Sequence, residues 1–262
     1  SYGAIDFEGN VSVDVQNGLE LSGGTFSDGA AGDAGNVSIS AGTLTLANDL
    51  GATAPTNATA GSGSLSLNGA EIDFGSASQG ASTTAFSGFG SVAVNATNGI
   101  VGQGAGTFNF GALPVTLTAP VILAGADGNA TLKTTGALVL NSAPAAGATS
   151  AASAFGGAIT LIGGSVVDNT LIEAPAGNVT LEATTGDLDV NGGANLSVAG
   201  INKTFFDTVT YAPGGTLSLT ATRGAIVVAG GAVLDVAGGA QGGDAGDLIL
   251  NAAGAVTLDG SL

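Results

Sequence analysis

Apolar and polar residues alternate along almost the whole chain, in bursts of three to five residues. The pairs run Val37/Ile39, Leu44/Leu46, Leu65/Leu67, Ile72/Phe74, Val92/Val94, Val115/Leu117, Val121/Leu123, Leu138/Leu140 and Ile159/Leu161. They continue at Val179/Leu181, Leu188/Val190, Leu196/Val198, Leu217/Leu219, Ile226/Val228, Leu234/Val236, Leu248/Leu250 and Val256/Leu258. A period of two marks strands whose one face is buried. Gly, Asn, Asp or Ala-Gly stands between the pairs, which is turn chemistry. Nowhere do apolar residues keep a 3.6-residue period for three turns, so an all-β fold is expected.

The strands recur as a set. Leu19-Glu20-Leu21-Ser22-Gly23-Gly24 followed by Gly32-Asp33-Ala34-Gly35-Asn36-Val37-Ser38-Ile39 returns downstream. There it reads Leu234-Asp235-Val236-Ala237-Gly238-Gly239 followed by Gly243-Asp244-Ala245-Gly246-Asp247-Leu248-Ile249-Leu250. A looser copy spans Ala176 to Val198. First strands start near residues 37, 65, 92, 115, 159, 179, 217 and 248. One such unit cannot bury its own apolar face, but units stacked ~4.8 Å apart share one continuous core. The pattern therefore predicts a β-solenoid of roughly nine or ten rungs with loop insertions, a rod about 45 Å long at that spacing. A β-sandwich is the competing arrangement, since its strands also alternate. The segments Asn48–Gly63, Ser76–Gly90, Asn141–Gly157 and Gly200–Gly215 lack the pattern and read as ejected loops. The last holds Lys203, Phe205, Phe206 and Tyr211, the densest aromatic cluster. These aromatics either fold back over an apolar patch or form a partner contact, as aromatics on a projecting loop do.

Composition narrows the chemistry. Among 262 residues there are 47 Gly, 3 Lys+Arg against 20 Asp+Glu, a net charge of -17, and no Cys, Met, Trp or His. Without His or Cys the usual zinc, haem and copper sites and thiol or Ser–His nucleophiles are excluded, and no cofactor is expected. Three cations build no phosphate-tracking surface, so nucleic acid is not an expected partner. No run of about 18 apolar residues exists, so no helix is expected to insert in a membrane. No basic and apolar stretch stands ahead of the first alternating pair, so no signal peptide is expected within these residues.

The unit Gly-Gly-Asp-Ala-Gly-[Asn/Asp]-[Val/Leu]-x-[Ile/Leu], with Gly-x-[Leu/Val]-Thr-Leu and Leu-Asp-Val-Ala-Gly-Gly, resembles repeats of filamentous-haemagglutinin-like adhesins. These are large bacterial exoproteins of the two-partner secretion family. The resemblance covers nearly the whole chain. It implies a right-handed parallel β-helix, an outer-membrane secretion partner, and a place outside or on the surface of a Gram-negative bacterium. The family's N-terminal secretion domain is not matched from Ser1 onward, so residues 1–262 are expected to be one solenoid segment, an internal fragment of a longer protein.

Other chemistry is thinly represented. Polysaccharide-cleaving β-helices use clustered acids, calcium and an arginine base, or paired carboxylates. Arg223 is the only arginine here and reads as a solvated corner; Asp187/Asp189 and Asp244/Asp247 are the nearest approaches to acid pairs. Asp33, Asp127 and Asp235 stand singly at turns or facing outward, and the acids as a whole read as a solubilising coat. Gly238–Leu248 faintly resembles a calcium-binding nonapeptide, with Asp244 and Asp247 as weak ligand candidates, but that motif must repeat to build its sites. Asn-x-Ser/Thr acceptors for sugars occur at Asn10, Asn36, Asn57, Asn95, Asn129, Asn178, Asn195 and Asn202. The expected function is a non-catalytic surface rod displaying binding loops to a host or neighbouring-cell receptor or glycan. The alternatives are a self-associating polymer subunit of a sheath, surface layer or fibre, and a polysaccharide-active or carbohydrate-binding β-helix.

Overall fold

A computed structural model of the chain describes residues 3–29, 35–55, 59–147, 155–206 and 208–262. Among them the regular structure is all strand, and no helix is long and apolar enough to cross a membrane. The first half contains β1 (Ala4–Phe7), β2 (Val11–Ser22), β3 (Thr25–Asp28), β4 (Asn36–Ala47), β5 (Gly63–Phe74), β6 (Ser82–Ser87), β7 (Phe89–Gly102), β8 (Ala105–Asn109), β9 (Val115–Ala119) and β10 (Val121–Ala124). There follow β11 (Asn129–Lys133), β12 (Ala137–Ser142), β13 (Ala158–Gly163), β14 (Ser165–Asn169), β15 (Leu171–Glu173), β16 (Asn178–Ala183), β17 (Leu188–Val190) and β18 (Asn195–Ser197). The chain continues through β19 (Asn202–Phe205), β20 (Thr208–Tyr211), β21 (Thr216–Ala221), β22 (Ile226–Val228), β23 (Val233–Asp235), β24 (Asp247–Ala252) and β25 (Val256–Leu258).

Two long parallel sheets take up all but β19 and β20. The first runs β1-β3-β6-β8-β11-β13-β16-β21-β24, always in chain order. The second carries ten strands in chain order, β2-β4-β5-β7-β9-β12-β14-β17-β22-β25, and a side branch β10-β15-β18-β23 that also pairs β7. The branch has a local cause. β2, β4, β5 and β7 are long strands that turn a corner midway, with register shifts beside Val15 and Gly69. After them the corner falls at Pro120, which has no N–H to give a ladder. β9 ends at Ala119 and β10 starts at Val121, so β7 pairs β9 through Val92–Asn95 and β10 through Ile100–Gly102.

Register turns the alternating pattern into columns of like side chains. One column reads Val37, Leu65, Val92, Val115, Leu138, Val166, Leu188 and Ile226. Another reads Leu132, Leu161, Leu181, Leu219 and Leu250. All but the terminal Leu250 are buried in one continuous core, each aliphatic side chain contributing about 1.5–3 kcal/mol of burial. The core changes character along its length. Phe7, Phe26, Phe74, Phe86, Phe89, Phe108 and Phe110 fill the first half, whereas past Phe110 every core residue is aliphatic. Polar columns line the outside: the Asn95 amide donates to Asn68 Oδ1 at 3.0 Å, and Asn191 donates to Asn169 Oδ1 at 2.8 Å.

Glycine is required where successive units approach most closely. At the turn before β16, β21 and β24, a Cβ on Gly177, Gly215 or Gly246 would strike the carbonyl oxygen of the corresponding glycine one unit back, and before β13 a Cβ on Gly157 would strike the Gly125 carbonyl oxygen. Many of the glycines thus serve stacking, not looseness.

Every alternating pair listed from the pattern falls on or directly beside a strand, but three expectations need correction. Val121 faces out and Ile122 inward, because the break at Pro120 resets the phase. The segment Ser76–Gly90 is not simply a loop: it contains β6, whose Thr84 and Phe86 are fully buried, and Phe89. Single phenylalanines among Ser, Thr and Gly carry too little alternation to be seen. Gly200–Gly215 forms a regular antiparallel hairpin, β19–β20. The described residues of the other two segments, 48–55 with 59–62 and 143–147 with 155–157, lie outside the sheets; β3 pairs β6 and β10 pairs β15 across the gaps. Asn48 anchors the first excursion, donating to the Thr83 and Ala52 carbonyls at 2.8 Å each.

Candidate functional site

The β19–β20 hairpin stands off the two sheets. Its register pairs Asn202 with Tyr211, Thr204 with Val209 and Phe205 with Thr208, leaving a two-residue connection that begins at Phe206. Tight hairpins need positive φ at that position. Phe206 adopts φ 55° and is 103% exposed. A bulky aromatic is an uncommon occupant of this conformation, and full exposure of its ring excludes the reading in which it folds back over an apolar patch. Val209 and Tyr211 are also exposed. Lys203 and Phe205 belong to β19, and their side chains lie outside the described part of the structure, as does Asp207.

The hairpin's base rests on the glycine-rich connection between β23 and β24. A Cβ on Gly242 would lie 3.1 Å from the Tyr211 ring. The Ala212 carbonyl accepts from Gly239 N, and Gly214 N donates to the Asp244 carbonyl at 2.9 Å. Two features separate in sequence, the aromatic cluster and the Gly238–Gly243 run, are therefore one structural unit. In it the glycines make room for the ring and Asp244 braces through its backbone. The side chains of Asp244 and Asp247 are exposed, and no group of three or more acids suited to a metal ion gathers among the described residues.

The other candidates sort by place. Arg223 is exposed at the turn between β21 and β22, one unit beyond the turn of Asp187. Asp187 Oδ1 accepts from Ala225 N at 2.8 Å, a brace between corners. Asp189 is half-buried on an open sheet surface, and burial followed by the Asp187 charge pushes its carboxyl above the usual range. Asp127 adopts φ 53° at the turn before β11, and Asp235 faces outward on β23. Of the Asn-x-Ser/Thr positions, Asn10, Asn36, Asn129, Asn178 and Asn202 are exposed, whereas Asn95 and Asn195 are half-buried within strands. Asn57 and Asp33 lie outside the described residues.

Two features escaped the sequence reading. The first is a groove of about 290 Å³ on the outer face of β6, β8 and β11, lined by Ser82, Thr83, Thr107, Asn129 and Thr131. Its threonines lie in register with Thr160, Thr180 and Ser218, an uncharged hydroxyl column along the sheet. The second corrects the view of the acids as a solvated coat: Asp28, Glu71, Asp73 and Asp168 are buried. Asp168 is the one signalled in sequence, since Val166-Val167-Asp168 set against Leu138-Val139-Leu140 puts the acid in an inward position. Compared with protein-family models, with curated proteins and with solved structures, the chain matches none.

Proposed function

We propose that the chain is a right-handed β-solenoid serving as a stiff, non-catalytic stalk segment of a secreted bacterial surface protein, which presents the β19–β20 hairpin to a receptor or glycan on a neighbouring cell. The observation that carries this reading is the chain-order sequence of both parallel sheets. A chain that visits two sheets alternately, each new strand pairing with the one from the preceding circuit, winds as a coil, and right-handed crossovers are the rule for parallel strands. Ten strands on the main path make ten circuits, roughly 45 Å at ~4.8 Å each. Ladders of hydrogen bonds and stacked aliphatics resist bending, and specificity then resides in what projects from the stalk. The setting outside a Gram-negative cell, with export through an outer-membrane partner, follows the repeat's resemblance to filamentous-haemagglutinin-like adhesins.

Three measurements test the reading. Small-angle scattering of the chain should give the cross-section and length of a rod; a sphere-like profile would sink the solenoid. Electron micrographs showing continuous end-to-end assemblies would favour the polymer subunit over the stalk. Labelled protein should bind target cells, with binding reduced at least fivefold in Phe206→Ser. That change at a fully exposed side chain should alter stability by no more than about 0.5 kcal/mol. Equal binding by both proteins would remove the hairpin from the contact.

A further inference from the structure

We propose that Asn17–Gly18 is a self-modifying site, at which Asn17 loses its side-chain amide by hydrolysis through a cyclic imide. The chemistry needs only water. The Gly18 backbone nitrogen attacks the Asn17 side-chain carbonyl carbon and forms a new C–N bond. The side-chain nitrogen leaves as ammonia, carrying the proton from Gly18 N. Water then opens the imide at either of its carbonyls, which leaves aspartate or isoaspartate at position 17. Glycine on the following side favours the attack, because it has no Cβ to block the approach and its backbone turns most freely.

Asn-Gly pairs stand at Asn17, Asn68, Asn98 and Asn191, and the structure separates them. Asn68 is held: its amide donates to the Ser66 hydroxyl at 3.2 Å, and its Oδ1 accepts from Asn95 at 3.0 Å. Asn191 donates to Asn169 Oδ1 at 2.8 Å. Asn17 and Gly18 are both exposed, and the Asn17 carboxamide makes no hydrogen bond among the described residues. The backbone is loosened there too. β2 pairs Val15 with Ala41 and next Gly18 with Thr43, so Gln16 and Asn17 together face Gly42 alone. This is a bulge, whose surplus residue is released from the ladder. Gly42 makes room for it: a Cβ there would lie 2.8 Å from the Gln16 carbonyl oxygen and 3.1 Å from that of Asn17. Outside the ladder, Asn17 is free to make the rotation toward Gly18 N that a paired strand residue is denied.

Asn98 supplies an internal comparison. β7 pairs Ala96 with Gly69 and Gly99 with Glu71, so Thr97 and Asn98 form the same kind of bulge. Here the segment after β12 lies across it. Ala146 N donates to the Thr97 carbonyl at 2.9 Å, and a Cβ on Gly147 would lie 2.9 Å from Asn98 Oδ1. Gly99 is buried as well. The dipeptide and the backbone irregularity are the same; the cover differs, and it directs the reaction to the open bulge. The product adds a carboxylate to an acidic chain. Isoaspartate also lengthens the main chain by a carbon atom just ahead of Leu19 and Leu21, which pack against the core.

The test ages the folded full chain in mildly alkaline buffer and follows the four asparagines by mass-spectrometric peptide mapping. Digestion after glutamate releases residues 9–20, and fragmentation of that peptide places the change. Asn17 should lose its amide about tenfold faster, or more, than Asn68, Asn98 or Asn191, since those sites react only after local opening. In urea the four rates should converge. Gly18→Ala should slow the Asn17 reaction about tenfold or more. That variant should keep the wild-type melting temperature, because a Cβ at Gly18 meets nothing nearer than the Thr43 carbonyl oxygen at 3.9 Å. Comparable rates at Asn17 and Asn98 in the folded chain, or an undiminished rate in Gly18→Ala, would overturn the proposal. So would a lead for Asn17 that persists in urea, which would trace it to neighbouring sequence and not to the fold.

Discussion

Replacing Phe86 by alanine should cost about 3–5 kcal/mol of unfolding free energy, the largest loss expected from any single truncation in this chain. Phe86 is fully buried on β6. Its ring stacks on Phe110 with centroids 4.4 Å apart and on Phe26 at 5.3 Å, and Phe110 in turn meets Phe74 edge-on at 6.3 Å. Each aromatic contact of this kind is worth about 0.5–1.5 kcal/mol beyond the area it buries. The cavity cannot close easily, because β3, β6 and β8 are held at fixed spacing by ladder hydrogen bonds and the walls cannot relax inward. Urea denaturation measures the loss, and a value below about 1.5 kcal/mol would mean that the stack does not organise the first half of the core. Hydrogen exchange adds position: in a repeat architecture stability is set by neighbours, so protection should fall in β3, β6 and β8 while β21 keeps its own.

That aromatic stack also marks where the sequence could and could not be read. Pairs such as Leu217/Leu219 and Val179/Leu181 announced their strands because two apolar residues flank one polar residue and a glycine turn follows. Phe26 and Phe86 each stand nearly alone among small polar residues, so β3 and β6 carried almost no periodic signal. Only pairing across the sheet, Phe26 against Phe86, shows why they are strands. Long-range register is likewise invisible locally: nothing in Ala47 or Ser142 tells that β3 will pair β6, or β10 pair β15, across the strands between them. The hairpin was legible as an aromatic cluster but not as a hairpin, since its turn uses Phe206 where Gly or Asn would have announced it. The buried acids were the least legible part. Asp73 occupies a formally outward position, and its withdrawal from water follows from tertiary packing that a period-two pattern does not encode.

Raising the pH from 5 to 8 should destabilise the protein, the reverse of what paired surface carboxylates would do. Asp168 sits in the inward column between Leu140 and Val190 and is 0% exposed. Its Oδ1 accepts from Thr170 N at 3.0 Å, while Oδ2 meets no donor. Burial pushes its carboxyl up to about 7, against a smaller opposing pull from the Thr170 bond. Asp73 is likewise raised to about 7, by burial first and the Glu71 charge second, with the Thr45 and Gln103 bonds pulling the other way. In the unfolded chain both return to about 3.9. The folded state therefore holds the protons more tightly, and its advantage is complete below about pH 4 and lost as the pH climbs through 7. A three-unit difference corresponds to about 4 kcal/mol per group over the full range, and much of that falls between pH 5 and 8. Between the two pH values the urea midpoint should fall clearly for the wild type. Asp168→Asn keeps an acceptor for Thr170 N and cannot ionise, so it should fall by markedly less and be the more stable protein at pH 8. An unchanged pH dependence in that variant would show that the carboxyl in the middle of the aliphatic column is not what makes the fold sensitive to alkali.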